Sequence, residues 1–392
     1  MAERKETFEK DIRTAVAEFE KLVREQVARN DRMIAKREAG KAVPVSEKDK
    51  IVIGACAGDG IGTVITEATE RVLEKLLADD ISSGRIEIRE IEGLTIERRL
   101  ECGQAVPDDV LAEMEKCDVL LKGPTLTPDA GMSGKNLQSA NVFIRKYFDL
   151  FANVRPISIP EQGIDWMFFR ENTEGEYALG SNGVSIGGEL DFDFKVTTKE
   201  GTRRIAEAAF KYAKENGKKN VAVITKANIL KKTDGAFLNE CMEVAKDYPD
   251  INVESYFIDI MSAHLVNEKR RSSFNVFVMP NLYGDILTDE AAQINGGVGT
   301  AGSANIGADF AMFEAIHGSA PRMLETGRGH LANPSSLMNA AVMMMDHIGR
   351  HDEARRLAAA IEKADREVGG RMTGRPGGAS CDEYTDIVLK NI

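Results

Sequence analysis

Two aspartates, Asp285 and Asp289, stand four residues apart in the stretch Met279-Pro280-Asn281-Leu282-Tyr283-Gly284-Asp285-Ile286-Leu287-Thr288-Asp289-Glu290. The helical composition of 286–293 puts them about one turn apart on one helix face. Acids so placed repel unless a cation lies between them, and hard carboxylate oxygens suit Mg²⁺ or Mn²⁺. Spacing alone equally fits an acidic helix start that favours the macrodipole. The glycine-rich run 296–307 weighs toward the metal, because it is too long for a simple helix stop. Three arginines offer a second chemistry. Arg145 lies on a helix for which Ser139 is a plausible N-cap, Arg155 ends the strand after it, and Arg170 ends the apolar strand 166–169. Guanidinium groups bind carboxylates through paired hydrogen bonds, so three from separate elements suit a small polyanionic acid if they converge. If they do not, each is a surface ion pair. Strands expected at 221–224 and 253–258 deliver Lys226 and Asp259. A lysine brought beside arginines and a metal has a lowered pKa and can accept a proton.

The elements that must position these groups are those of an α/β protein. The run 274–279 (FNVFVM), closed by Pro280, reads as an inner strand. Another, 51–55 (IVIGA), enters Gly58-Asp59-Gly60-Ile61-Gly62 and a helix over 63–77, which is how an α/β domain begins. That glycine spacing is not the dinucleotide fingerprint, so no Rossmann assignment follows. Strands are expected at 86–91 and 119–122, the latter entering the loop 123–128 at the sheet edge where ligands bind. A small β excursion is expected over 177–198, then a helix over 203–216. Residues 1–45 read as one long helix whose stripe of Phe8, Ile12, Val16, Phe19, Val23, Val27 and Ile34 must dock on its own or a partner subunit. Residues 41–50 are the linker.

Composition bounds the rest. A chain of 392 residues exceeds the usual size of one core, so two domains are expected. The net charge of −12 argues against nucleic acid and membrane surfaces as partners. No run approaches transmembrane length, and no secretory signal opens the chain. Cys56, Cys102, Cys117, Cys241 and Cys381 are scattered without metal-ligand spacing, which fits reduced thiols. With the many acids of residues 1–45 disfavouring a mitochondrial transit peptide, the expected location is cytoplasmic.

Taken together, the chain from Ile51 onward resembles the metal-dependent β-decarboxylating dehydrogenases, the isocitrate and 3-isopropylmalate dehydrogenase family. The resemblance rests on 58–62, S-x-N-x-x-x-R from Ser139, N-V-R-P, R-E-N-T-E-G-E-Y, K-A-N, N-L-Y-G-D-I-L-x-D and Glu314-Ala315-Ile316-His317-Gly318-Ser319-Ala320-Pro321. It implies that family's α/β fold: a large coenzyme-binding domain from 51–150 and 296–392, and a smaller dimerisation domain from 151–295 with a β clasp at about 177–199. The helix of residues 1–45 is an addition to the pattern. By the same resemblance Asp285, Asp289 and a partner's Asp259 hold Mg²⁺ or Mn²⁺, and Arg145, Arg155 and Arg170 hold substrate carboxylates. Lys226 of the partner is the base and Tyr177 the acid. A homodimer with shared active sites and a tricarboxylate substrate is implied.

The implied reaction is oxidative decarboxylation of isocitrate to 2-oxoglutarate with NAD or NADP. Ser139 and Asn141 sit where isocitrate enzymes use polar groups, and an isopropyl group would leave them unpaired. The alternatives are 3-isopropylmalate or homoisocitrate dehydrogenase, and a noncatalytic regulatory subunit of a heteromeric enzyme. None of the acid, base or metal positions is lost, which disfavours the last. Thr127, His317, Gly318, Ser319, Ala320 and Asn333 are implied coenzyme contacts. Arg322 replaces the Asp common in NAD-using members, and Arg328 and His330 add positive charge, so NADP is the favoured coenzyme.

Overall fold

A computed structural model describes residues 2–40, 43–127, 137–179, 183–295, 297 and 301–392. Gly296 and residues 298–300 of the expected glycine-rich run lie outside the described residues, as do Pro128 and residues 180–182 of the expected clasp. The chain forms two compact units, a first of Met1–Lys41 with Phe168–Leu287 and a second of Ala42–Met167 with Thr288–Ile392. The domain changeovers expected near 150 and 296 compare with changeovers that fall inside a strand, Ile164–Glu171, and a helix, Asn281–Ile294.

The described strands, in chain order, are β1 (Ile51–Cys56), β2 (Ile86–Glu90), β3 (Val119–Lys122), β4 (Ala152–Ile159), β5 (Ile164–Glu171), β6 (Val184–Ile186), β7 (Leu190–Phe192), β8 (Asn220–Thr225), β9 (Asn252–Phe257), β10 (Val276–Met279), β11 (Gly302–Ile306) and β12 (Ala311–Ala315). In the second unit they run in the order β2-β1-β3-β12-β11-β4. β1 pairs in parallel with β2 and β3, and β12 with β3, while β11 is antiparallel to β12 and β4. Such a ladder is covered on both faces, which is why β3 and β12 are buried along their whole length rather than at alternate residues. Side chains alternate across it. Val119 and Leu121 join Phe313 and the helix residues Leu337, Ala341 and Met344 in one cluster. Leu120 joins Met312, Val110, Met114 and Ile144 in the cluster on the other side. The expected α/β class is borne out, with the strand and helix that flank the glycine turn found at Ile51–Cys56 and Gly62–Leu76.

In the first unit the order is β5-β10-β8-β9, with β8 parallel to both β9 and β10, and the stacked rings of Phe168 and Phe277 lie 4.4 Å apart between their strands. The hairpin β6-β7 is a separate antiparallel pair. The helix expected over 203–216 starts earlier, at Lys199, because the hydroxyl of Thr198 accepts from the amide of Gly201 at 3.0 Å and caps it.

The N-terminal helix, Ala2–Glu38, docks on this same unit. Its buried apolar residues are Leu22 and Met33, and Leu22 packs with Ala178, Leu179, Phe194 and Val196. Of the expected stripe, Phe19 packs its ring at a tilt 4.9 Å from that of Phe194, yet Val16 stays 61% exposed and Val27 56%. The docking face is therefore turned away from the most regular apolar period, and polar anchors complete it. The carboxylate of Asp11 accepts from the amide of Gly187 at 2.8 Å, and Arg29 reaches Glu174 at 2.8 Å. None of the described helices is long and apolar enough to cross a membrane.

Candidate active site

In the first unit, the end of β5 and the start of the helix Asn281–Ile294 bring Arg170, Tyr177 and Asp285 together. The Arg170 guanidinium donates to Asp285 Oδ1 through Nη1, and to Asn281 Oδ1 through Nε at 3.0 Å and Nη2 at 2.7 Å. The Tyr177 hydroxyl donates to the other oxygen of Asp285 at 3.0 Å. Glycine is required at 284, since a Cβ there would fall 2.4 Å from Arg170 Cγ. Lys226 and Asp259 form their own pair, Nζ to Oδ1 at 2.6 Å, at the ends of β8 and β9. That hydrogen bond, chiefly, holds the Asp259 carboxyl below its ordinary range. Among the described residues no three His, Cys, Asp or Glu side chains gather as a metal site.

Directly behind Arg170 sit two buried acids, Glu171 and Glu174. Glu171 accepts from the amide and hydroxyl of Thr173 and the amide of Glu174. Burial, then the neighbouring Glu174, raises its carboxyl above the ordinary value of 4.5. The native state thus holds this proton more tightly than the unfolded chain, so its contribution to stability is full below pH 4.5 and is lost as pH rises through the folded pKa. Glu171→Gln should flatten that slope, measured as the thermal midpoint from about pH 5 to about pH 8. A midpoint with the wild-type pH dependence would assign the slope elsewhere.

In the second unit, Thr125, Asn141, Arg145, Arg155, Glu314 and His317 line one polar cavity of about 130 Å³. Arg155 donates through Nη1 to the hydroxyl of Thr288 at 2.6 Å and to Asp289 Oδ1 at 3.1 Å. Arg145 donates through Nη2 to Glu314 Oε1 at 2.9 Å, and Arg145 Nε and His317 Nε2 are buried atoms with no hydrogen-bond partner. Buried polar atoms left open beside a cavity are what a polar ligand would satisfy. Burial, partly offset by Gly318 O, lowers the His317 pKa and keeps its ring neutral. Asn141 Oδ1 accepts from the Thr125 hydroxyl at 3.0 Å. Ser139 holds the N-cap position of the helix Ala140–Tyr147 but makes no side-chain cap bond, so the expected cap is positional only.

Sequence alone assigned no role to Glu314, Lys122 or Asp59. Burial alone would raise the Glu314 carboxyl, but Lys122 at 3.3 Å, Arg145 and the Asn305 amide at 2.8 Å outweigh it and hold it down to about 2. The buried Asp59 carboxylate accepts from the amides of Ile96 and Leu126, both at 2.7 Å, and so ties the glycine turn to the loop after β3. The turn itself demands glycine: with positive φ, a Cβ at Gly58 would lie 2.2 Å from Pro124 O, and one at Gly60 2.0 Å from Ser319 O. The turn thereby fixes the loop of His317, Gly318, Ser319 and Ala320. Asn333 accepts from the amide of Ser335 at 3.0 Å, and Thr127 is exposed.

The family model for isocitrate/isopropylmalate dehydrogenase matches residues 52–388. The alpha subunit of the mitochondrial NAD isocitrate dehydrogenase of Macaca fascicularis is 37% identical over 343 residues, covering 86% of this chain and 93% of the relative. A regulatory subunit of the mitochondrial NAD isocitrate dehydrogenase of Dictyostelium discoideum is 38% identical over 343 residues, 86% of this chain and 90% of that one. The crystal structure of isocitrate dehydrogenase from Methylococcus capsulatus superposes with a TM-score of 0.76 at 33% identity, over 87% of this chain and 99% of that one.

These relatives correct two expectations. The NADP preference is overturned, since the matching subunits are NAD-dependent. The basic loop explains the misreading: Arg328 is committed to Thr326 Oγ1 at 2.8 Å and Gly374 O at 3.2 Å, while Arg322 and His330 stand exposed. The cytoplasmic location is overturned because those relatives are mitochondrial. Free thiols distinguish reducing from oxidising surroundings and do not separate one reducing compartment from another. By the extent of these matches, the chain belongs to the isocitrate/isopropylmalate dehydrogenase family.

Proposed function

We propose that the chain carries out NAD⁺-dependent oxidative decarboxylation of isocitrate to 2-oxoglutarate. The observation that supports this most is the second unit's polar cavity, where Arg145 and Arg155 sit beside Asn141 and where Arg145 Nε lacks a partner. Arg145 and Arg155 bind substrate carboxylates there, Ser139 and Asn141 favour the polar over the isopropyl substrate, and Arg170 serves a carboxylate from the first unit. His317, Gly318, Ser319, Ala320, Asn333 and Thr127 are the proposed coenzyme contacts.

Asp285, Asp289 and Asp259 fit a hard divalent cation: all three are oxygen donors, with side chains 43%, 60% and 67% exposed, open enough to reach an ion. As the family resemblance implies, Asp259 and Lys226 act in the site of a second copy. When bound, Mg²⁺ or Mn²⁺ would polarise the substrate hydroxyl, and the nicotinamide would accept the hydride. Lys226 takes up the hydroxyl proton, the arginines hold the carboxylates so that CO₂ can leave, and Tyr177 returns a proton to carbon.

A second reading, that of a regulatory component in a heteromeric enzyme, is favoured by the name of the Dictyostelium relative. The purified chain, assayed alone with NAD⁺ and Mg²⁺, separates the two. Isocitrate is expected to exceed 3-isopropylmalate and homoisocitrate by at least about 100-fold in kcat/KM. No turnover alone, with turnover restored by a catalytic partner chain, would favour the regulatory reading.

A further inference from the structure

We propose that Arg29 of the N-terminal helix is a positioning residue for the proposed site, holding the 170–177 segment so that Arg170 and Tyr177 meet Asp285. The inference rests on the functional reading above, and the helix lies outside the 52–388 stretch that the family model matches.

Arg29 is forked between two residues of that segment. Nη1 donates to Glu174 Oε1 at 2.8 Å and Nη2 to the Thr173 hydroxyl at 2.8 Å. This is an inner contact, with the side chains of Arg29 and Glu174 only 18% and 4% exposed. Glu174 is otherwise held by the amide and hydroxyl of Thr198, at 2.8 and 2.5 Å. From Glu174 the hydrogen bonds run on without a break. Its carbonyl accepts from Asn281 Nδ2 at 3.1 Å, Asn281 Oδ1 accepts from Arg170 Nε and Nη2, and Arg170 and Tyr177 both donate to Asp285.

Charge makes Arg29 more than a packing contact. Glu171 and Glu174 are buried three residues apart, and Arg204 and Arg29 are cations that act on Glu171, the former donating to the Thr173 hydroxyl at 3.1 Å and the latter pairing with Glu174. Without Arg29 the pair loses one of these cations, and the segment relaxes to move one acid toward water. The helix's other anchors work differently. Arg4 pairs with Glu189 in the open, 63% exposed, and Arg37, 53% exposed, pairs with Glu200.

The test compares Arg29→Met, Arg29→Lys and Arg4→Met in the full chain, by steady-state kinetics with isocitrate and by hydrogen exchange of the amides 171–177. Arg29→Met should raise KM for isocitrate about tenfold, lower kcat, and speed exchange in that segment. Arg29→Lys should recover part of both effects, because an ammonium keeps the charge but cannot fork to Glu174 and Thr173. Arg4→Met should match wild type throughout. Wild-type kcat, KM and exchange in Arg29→Met would overturn the proposal even if its melting point falls. Should Arg29→Met not fold, Arg29→Lys decides: a KM raised about threefold supports the proposal, and wild-type kinetics and exchange overturn it. If wild type itself does not turn over isocitrate, the functional reading fails, and the exchange of Arg29→Met still decides whether Arg29 holds the segment.

Discussion

Lys226→Met should lower kcat with isocitrate about 10²- to 10⁴-fold, the range for loss of a general base, while the fold survives. The fold is insulated from the side chain by Asp234. That fully buried carboxylate accepts the backbone amide of Lys226 at 2.6 Å, and also holds Lys195 at 2.6 Å and the Tyr283 hydroxyl at 2.9 Å. The bond to Asp259 and the ammonium's contact over the Phe257 ring at 5.9 Å are lost, while methionine keeps an apolar stem of similar length. Added methylamine should return part of the rate if a missing amine is the defect. Mixing Lys226→Met with Arg145→Ala chains should also restore activity through hybrids that own one intact site. A wild-type kcat in Lys226→Met would assign the base elsewhere, and failure of every mixture, with exchange verified, would argue against sites shared between copies.

Arg145→Met should have the second large effect, on stability and turnover together. Breaking a buried ion pair from one side costs about 3–5 kcal/mol, because the partner charge stays buried. Here the partner is Glu314, 5% exposed, which keeps Lys122 and Asn305, so the loss should fall at the lower end of that range. The thermal midpoint should fall, and kcat/KM should fall at least about 100-fold through the lost carboxylate contact. Adding Glu314→Gln should recover neither, since it takes the carboxylate from Lys122, whose side chain is fully buried and otherwise donates to Gly123 O. The pH dependence carries the sign of a depressed acid. Glu314 contributes its full stability above its ordinary 4.5 and loses it as pH falls toward about 2, so Glu314→Gln should lose that acid limb. Recovery of kcat/KM in the double variant would mean that Arg145 acts only through Glu314.

Local chemistry was legible in the sequence where it stayed local. The apolar run and the glycine turn gave β1 and the helix after it, and the segment from Arg170 to Tyr177 was marked by its own residues. The partnership of Lys122 with Glu314 was not, because each is a lone charge at the end of an apolar strand until β3 and β12 pair. The basic residues after Pro321 show the opposite error. Counting Arg322, Arg328 and His330 gave a positive loop, but a count does not say that Arg328 turns inward to Thr326 and Gly374. The N-terminal helix was found by its period, yet its docking face was not. Leu22, Met33 and Arg29 decide it, and an arginine bound for a buried glutamate looks on a helical wheel like any solvated one.

That docking also sets a timetable for synthesis. Arg29 and Glu174 are 145 residues apart in the chain, so the helix leaves the ribosome well before the surface it needs. At about 5–20 residues per second the wait is roughly 7 to 30 s, during which Leu22, Met33 and the apolar stripe face water or whatever meets the nascent chain. Ala42–Met167 emerges in that interval, before Phe168–Leu287 can receive the helix. Slow codons between these stretches would lengthen the exposure, and a chaperone that holds long amphipathic helices would have its window there.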